Sequence, residues 1–203
     1  MSDRIAIFID GGYLDKILEL RFSRVHIDYN KLSSWMSREC DILRTYYYTC
    51  LPYKNSDNPT PEQEERYNNK QKFHYALNSL PRFTVRVGKL KLKGFDIATR
   101  QPIFEQKGVD IMLCIDMISL ALKNKVTHIA LLASDGDFLP VIEAVRNEGV
   151  VTYLYHSDYR DFSRQVVLTP SKYLISAVDE RFTIDQTVIN SILRQPREIL
   201  LQR

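Results

Sequence analysis

Short, unbroken apolar runs alternate along this chain with longer stretches in which apolar residues recur every three or four positions. Residues 5–9 (Ile5-Ala6-Ile7-Phe8-Ile9) form such a run and end in Asp10-Gly11-Gly12, the pattern of a strand covered on both faces that leads into a loop. Leu14, Ile17 and Leu18 then predict a helix over 13–20. A second helix, capped by Asp28 or Asn30 and running to residue 40, carries Leu32, Trp35 and Met36 on one face. Residues 42–51 read as a strand rich in aromatics. Thr60-Pro61 opens a helix to about residue 80, and residues 83–93 alternate as a third strand that continues into a basic hairpin closed by Pro102-Ile103-Phe104. Residues 109–123 are apolar on most of their surface and predict a core helix. Residues 129–133 form another doubly covered strand, ending in Ser134-Asp135-Gly136-Asp137. A helix to residue 148, Gly149 as its stop and a strand over 150–155 follow. The tail is less periodic, with helices expected over 171–182 and 185–193.

Strands alternating with helices specify an α/β protein, a three-layer α/β/α sandwich with a mostly parallel central sheet. With no internal repeat and no Gly/Ser-rich linker, the reading is one domain over 1–168, with 169–203 as a helical extension packing on it. The chain has 203 residues, 44% apolar and 26% charged, as in ordinary globular proteins. No apolar run approaches the roughly 18 residues needed to span a bilayer, and the N-terminus runs straight into structure, so a cytoplasmic location is expected. Cys40, Cys50 and Cys114 are odd in number and lack zinc-site spacing, which predicts reduced thiols.

Two strands finish in aspartate, Asp10 after the first and Asp135 with Asp137 after residues 129–133. In an open parallel sheet, ligands bind beyond the carboxyl ends of the strands, so these side chains would face one crevice. The apolar helix adds Asp110 in its first turn and Asp116 in its interior. At about 100° per residue Asp116 is roughly 240° round from Asp110, so the two cannot share a face, which leaves room for one of them to be structural. Clustered carboxylates repel, and a divalent cation removes the conflict. Oxygen-only ligation suits Mg²⁺ or Mn²⁺, which can activate water for attack on a phosphodiester. Each aspartate taken singly also reads as a cap or turn residue.

The net charge of +3 says little, but Lys89, Lys91, Lys93, Arg100 and Lys107 are concentrated mid-chain. Lys89, Lys91 and Lys93 alternate, so they should project from one face and could track a phosphate backbone, or simply protect a solvated edge. Within Tyr46-Tyr47-Tyr48, Tyr47 is a candidate for stacking on bases. His74 and His128 have no partner at metal spacing and read as packing residues.

Three segments, Ile7-Phe8-Ile9-Asp10-Gly11-Gly12-Tyr13-Leu14, Gln106-Lys107-Gly108-Val109-Asp110 and Ser134-Asp135-Gly136-Asp137-Phe138, together resemble the NYN family, in its LabA-like branch. That family is similar to PIN domains and the FLAP-nuclease group. The likeness runs to about Tyr155 and takes in Tyr46-Tyr47-Tyr48, Leu80-Pro81-Arg82-Phe83 and Val87-Gly88-Lys89-Leu90. It implies a PIN-like fold and metal-dependent hydrolysis of RNA, single-stranded RNA among the options, with Mg²⁺ or Mn²⁺ as cofactor. Asp10 and Asp135 resemble principal metal ligands, and Asp110 and Asp116 are alternative helix-borne ligands. Asp137 resembles a second-metal or outer ligand, and Ser134 a residue that orients a carboxylate or phosphate. Many members carry asparagine shortly after the first aspartate, where this chain has Gly12-Tyr13. A non-catalytic RNA- or protein-binding module and a nucleotide phosphatase remain the alternatives, and a homo-oligomer is left open.

Overall fold

The structure is a computed structural model that describes residues 2–97 and 102–195. A parallel strand core forms because the uninterrupted apolar runs have nowhere to go but between two helical layers. In chain order the elements are β1 (Arg4–Asp10), α1 (Gly11–Leu20), α2 (Tyr29–Ser37), β2 (Asp41–Cys50), α3 (Pro61–Asn78), β3 (Phe83–Phe95), β4 (Pro102–Lys107) and α4 (Val109–Leu122). After these come β5 (His128–Leu132), a single 3₁₀ turn (Gly136–Phe138), α5 (Leu139–Asn147), β6 (Val151–His156) and a small hairpin of β7 (Arg160–Asp161) and β8 (Val166–Val167). The described chain closes with α6 (Lys172–Ala177), β9 (Glu180–Thr183) and α7 (Gln186–Ile192).

Among the described residues, seven strands form one sheet in the order β4-β3-β2-β1-β5-β6-β9. All neighbours are parallel except β3 and β4. Ile5, Ile7 and Ile9 face one core, shared with Leu14 and Ile17 of α1, Leu32 and Met36 of α2, Leu77 of α3 and Ile189 and Ile192 of α7. Ala6 and Phe8 face the other, with α4, α5 and α6. The expected three-layer sandwich is therefore present. Strand order reverses at β1, with β2 on one side and β5 on the other, so the crevice an open sheet offers to ligands falls at the carboxyl ends of these two strands.

Several elements differ from the sequence pattern. The helix expected over 171–182 stops at Ala177, and Glu180–Thr183 joins the sheet beside β6 as an edge strand. Its Glu-Arg-Phe-Thr sequence lacks the apolar run of a central strand because one side of the ladder is open. The helix α4 is not enclosed. Val109, Leu113, Met117 and Ala121 are buried, whereas Ile111, Ile115 and Leu122 are more than half exposed. The basic hairpin expected after residue 83 is present as the antiparallel pair of β3 and β4, with Pro102-Ile103-Phe104 starting its return strand.

The arm made by β3 and β4 bears on function. Beyond Gly88, β3 has lost β2 as a neighbour and pairs only with β4. In the sheet register Arg86 stands level with Tyr48, and Tyr48 with Asp10. Residues 89–95 and 102–107 therefore rise past the edge on which β1 ends, reaching roughly 30 Å beyond it at Phe95 at about 3.3 Å per residue. Asp10 and this two-stranded arm share one end of the molecule.

Candidate active site

Asp10 is the last residue of β1 and the N-cap of α1. Its Oδ1 accepts hydrogen bonds from the backbone N–H groups of Gly12 (2.9 Å) and Tyr13 (3.1 Å). One carboxylate oxygen is thus used in the cap, and no protein hydrogen bond is found to the other among the described residues. Gly11 is glycine for steric reasons. A Cβ there would lie 2.5 Å from the ring of Tyr47, which is fully buried and cannot retreat. Gly11→Ala is expected to lower stability by roughly 1–3 kcal/mol, the usual overpacking range, measured by urea unfolding. An alanine variant as stable as the parent would show that Tyr47 can move.

Asp110 reaches the same edge by another route. Gly108 takes a left-handed conformation (φ 84°) at the N-terminus of α4, a turn suited to glycine, and so starts the helix where β4 returns to the sheet. Asp110 occupies the first turn, where the amide dipoles favour a negative charge. Asp135 follows β5, and its Oδ1 accepts from the N–H of Asp137 (3.0 Å), capping the 3₁₀ turn that leads into α5. Asp135 and Asp137 are exposed, and Ser134 is half-buried, its backbone oxygen accepting from Ser171 N (3.3 Å). Three helical starts, at α1, α4 and the 3₁₀ turn, thus meet at this edge.

The carboxylates feel one another. Burial raises the Asp10 carboxyl above its usual 3.8, and the charge of Asp110 raises it further, against the cap hydrogen bonds and Lys16, which lower it. Asp110 is also raised, first by loss of water around it and then by Asp135 and Asp137. Carboxyls raised by burial and by neighbouring negative charge carry an electrostatic cost that a cation or a shared proton relieves. Lys16 is a neighbour the sequence reading passed over. Local spacing carried no signal for it, since six residues along a helix do not bring two side chains to one face.

Asp116 lies elsewhere. Six residues along α4, about 9 Å below Asp110, it accepts from Tyr48 Oη (2.8 Å) and pairs with Arg86 Nε (3.1 Å). The two helix aspartates do part company, and Asp110 is the one the structure brings to Asp10, Asp135 and Asp137. Tyr47 is fully buried, its hydroxyl 3.3 Å from Asp15, so its ring offers no face to a base. Tyr46 and Tyr48 turn to the other core, where they pack on Phe8.

Lys89, Lys91, Lys93 and Lys107 are all exposed on the β3–β4 arm. Lys89 is directly opposite Lys107, so the two share a face with Lys91. Lys93 occupies a bulge between Leu92 and Gly94, where the alternation that predicted a single face is interrupted. Arg100 lies outside the described residues.

The donor chemistry of Asp10, Asp110, Asp135 and Asp137 is oxygen-only, which suits Mg²⁺ or Mn²⁺. Among the described residues no three His, Cys, Asp or Glu side chains converge closely enough to ligate one ion directly. That spacing still fits Mg²⁺, which keeps several waters and binds through one or two carboxylates. Cys40, Cys50 and Cys114 are free thiols, and no described helix is long and apolar enough to cross a membrane.

Comparison with known proteins agrees with this geometry. A crystal structure of a protein of unknown function from Vibrio parahaemolyticus superposes with a TM-score of 0.61 at 20% identity, over 95% of this chain and 97% of that one, and shares the fold. No curated protein matches the chain. The NYN domain model matches residues 4–185, from the first strand to the cap of the last helix, and the chain therefore belongs to the NYN domain family, with its PIN-like nuclease fold.

Proposed function

We propose that this protein is a metal-dependent ribonuclease in which Asp10 and Asp110 hold a Mg²⁺ or Mn²⁺ ion with Asp135 and Asp137 at the mouth of the site. The observation that carries the reading is the placement of Asp10, Asp110, Asp135 and Asp137 at one edge, where strand order reverses, with the Asp10 carboxyl raised by the nearby charge of Asp110 and the Asp110 carboxyl by those of Asp135 and Asp137. A bound divalent ion supplies a Lewis acid for a phosphate oxygen and a water of lowered pKa. The rest is the work of the chain. Asp10, fixed by its two backbone hydrogen bonds, presents its remaining oxygen in a constant position, and Asp110 is held by the rigid start of α4. The positive ends of α1, α4 and the 3₁₀ turn, with Lys16, offset negative charge brought in by a phosphodiester. The lysines of the arm would lie along the backbone of an RNA strand leaving the site.

The test is hydrolysis of a single-stranded RNA by the purified protein with Mg²⁺ or Mn²⁺ and its abolition by EDTA. The second reading, a non-catalytic RNA-binding module, is favoured by the lack of three converging ligands among the described residues. It predicts RNA binding that is the same with and without metal, and no cleavage.

The raised Asp10 and Asp110 carboxyls have a pH consequence. Proton binding is tighter in the folded state, so their contribution to stability is fully present below 3.8 and is lost as pH rises through the folded values. Charging both carries an electrostatic cost that a divalent cation relieves. Adding Mn²⁺ at pH 7 is therefore expected to raise Tm, and this increment should shrink on acidification at a higher pH than an ordinary carboxylate would give. A metal-induced Tm shift that is flat down to pH 4 would contradict this assignment.

A further inference from the structure

The β3–β4 arm has a second face that the lysines do not explain. Opposite Lys89 and Lys91 are Leu90 and Leu92, and Phe104 lies directly across from Leu92. Leu90 packs back onto the core beneath α4, but Leu92 (40%), Phe104 (36%) and, through its partner Pro102, Phe95 (62%) remain exposed on this side. An isolated two-stranded ribbon that shows this much apolar surface to water is unfavourable unless something covers it in use.

One of these side chains is supported in a way the others are not. The Phe104 ring packs on Tyr53, with centroids 5.0 Å apart and planes 34° from each other. Tyr53 comes just after the end of β2, at the edge where Asp10 closes β1. A half-exposed aromatic ring is thus backed by a second ring anchored to the sheet, on an arm whose other face is cationic. A ring with an open π-face beside lysines is how proteins hold single-stranded nucleic acid without reading its sequence. An apolar protein partner would gain nothing from the adjacent lysines, whereas a strand with a charged backbone and flat bases matches both faces.

We propose that Phe104, backed by Tyr53, is a base-stacking subsite for a single-stranded part of the RNA away from the cleaved bond. The choice of RNA rests on the nuclease reading above. Phe104 pairs with Leu92, six residues beyond Arg86, which is level with Asp10 through Tyr48. At about 3.3 Å per residue along the strand and about 4.8 Å for each of the three spacings from β1 to β4, the subsite stands roughly 25 Å from Asp10. Only a substrate several nucleotides long can touch both. Phe104 is accordingly a positioning residue, acting on KM and not on kcat.

The test is fluorescence anisotropy of a labelled, unstructured RNA of about 12 nucleotides, a length in the range such surfaces bind, with wild-type protein in EDTA so that nothing is cut. Steady-state cleavage with Mn²⁺ accompanies it. Phe104→Ala is expected to weaken binding roughly tenfold, the effect of losing one stacked base, and to raise KM for the long RNA with kcat unchanged. Cleavage of a dinucleotide, too short to reach the arm, should not change. Phe104→Trp should restore binding, with its added indole fluorescence quenched by RNA, which keeps the test decisive if the alanine variant melts early. Equal binding by wild type and Phe104→Ala, with cleavage intact, would overturn the subsite and leave the nuclease reading standing. So would unchanged RNA binding together with a loss of self-association in Phe104→Ala, since the face would then cover a second copy of the chain. If the wild-type protein neither binds nor cuts RNA, the nuclease reading fails and the subsite with it.

Discussion

Replacing Asp10 by asparagine is expected to reduce RNA hydrolysis by about a hundredfold or more, while the protein stays folded with a Tm equal to or above that of the parent. The two halves of this expectation have separate causes. Asparagine caps a helix as well as aspartate does, so the hydrogen bonds from the Gly12 and Tyr13 N–H groups can persist and α1 begins where it did. The lost charge is one that burial and Asp110 both disfavour, so its removal does not weaken the fold. What disappears is an anionic ligand, and metal-supplied stabilisation of a transition state is worth several kcal/mol, or orders of magnitude in rate. Cleavage rate and thermal melting on the same preparation check both halves. A variant that cuts RNA at the parental rate would remove Asp10 from the chemistry, and one that is unfolded would show that the carboxylate is a structural cap.

Asp116→Ala should do the opposite. This carboxylate accepts from Tyr48 Oη and pairs with Arg86 Nε. Its removal leaves the Tyr48 hydroxyl without an acceptor in a largely buried position. A stranded buried donor costs about 2 kcal/mol, on the order of 4–8 °C in Tm for a domain of this size. Arg86 adds less, because its side chain is 42% exposed and screened by water. Metal-dependent cleavage, assayed below the lowered melting range, should stay within a few-fold of the parent. If Asp116→Ala instead abolished cleavage without a change in Tm, the roles assigned here to Asp110 and Asp116 would have to be exchanged.

This contrast shows what the sequence could convey. The 240° separation of Asp110 and Asp116 along a helix requires that they serve different purposes, whichever is the ligand. It cannot indicate which, because the deciding partner, Arg86, comes from β3, about thirty residues away. The strands β1 and β5 were legible because a doubly covered parallel strand must be apolar throughout, and the run is broken by Asp10 at the end of β1 and by Ser134-Asp135 shortly after β5. The edge strand β9 was not, since Glu180–Thr183 has one open side and carries no such run. The helix α4 looks apolar nearly all round, and composition cannot reveal that Ile111, Ile115 and Leu122 face away from the sheet. Tyr47 shows the same limit from the other side. In Tyr46-Tyr47-Tyr48 alternation fixes that neighbours point to opposite faces, but only the position of α1 determines that Tyr47 is sealed beneath Gly11. The pairing of Phe104 with Tyr53 joins residues about fifty apart and left no trace in either local pattern.

The most direct test of a shared cation at the ends of β1, β5 and the start of α4 is calorimetric titration of Mn²⁺ into the wild-type protein and into Asp10→Asn at neutral pH. The account predicts saturable binding by the wild type that is lost or greatly weakened in the variant. Identical titrations of the two proteins, or no binding by the wild type, would contradict it.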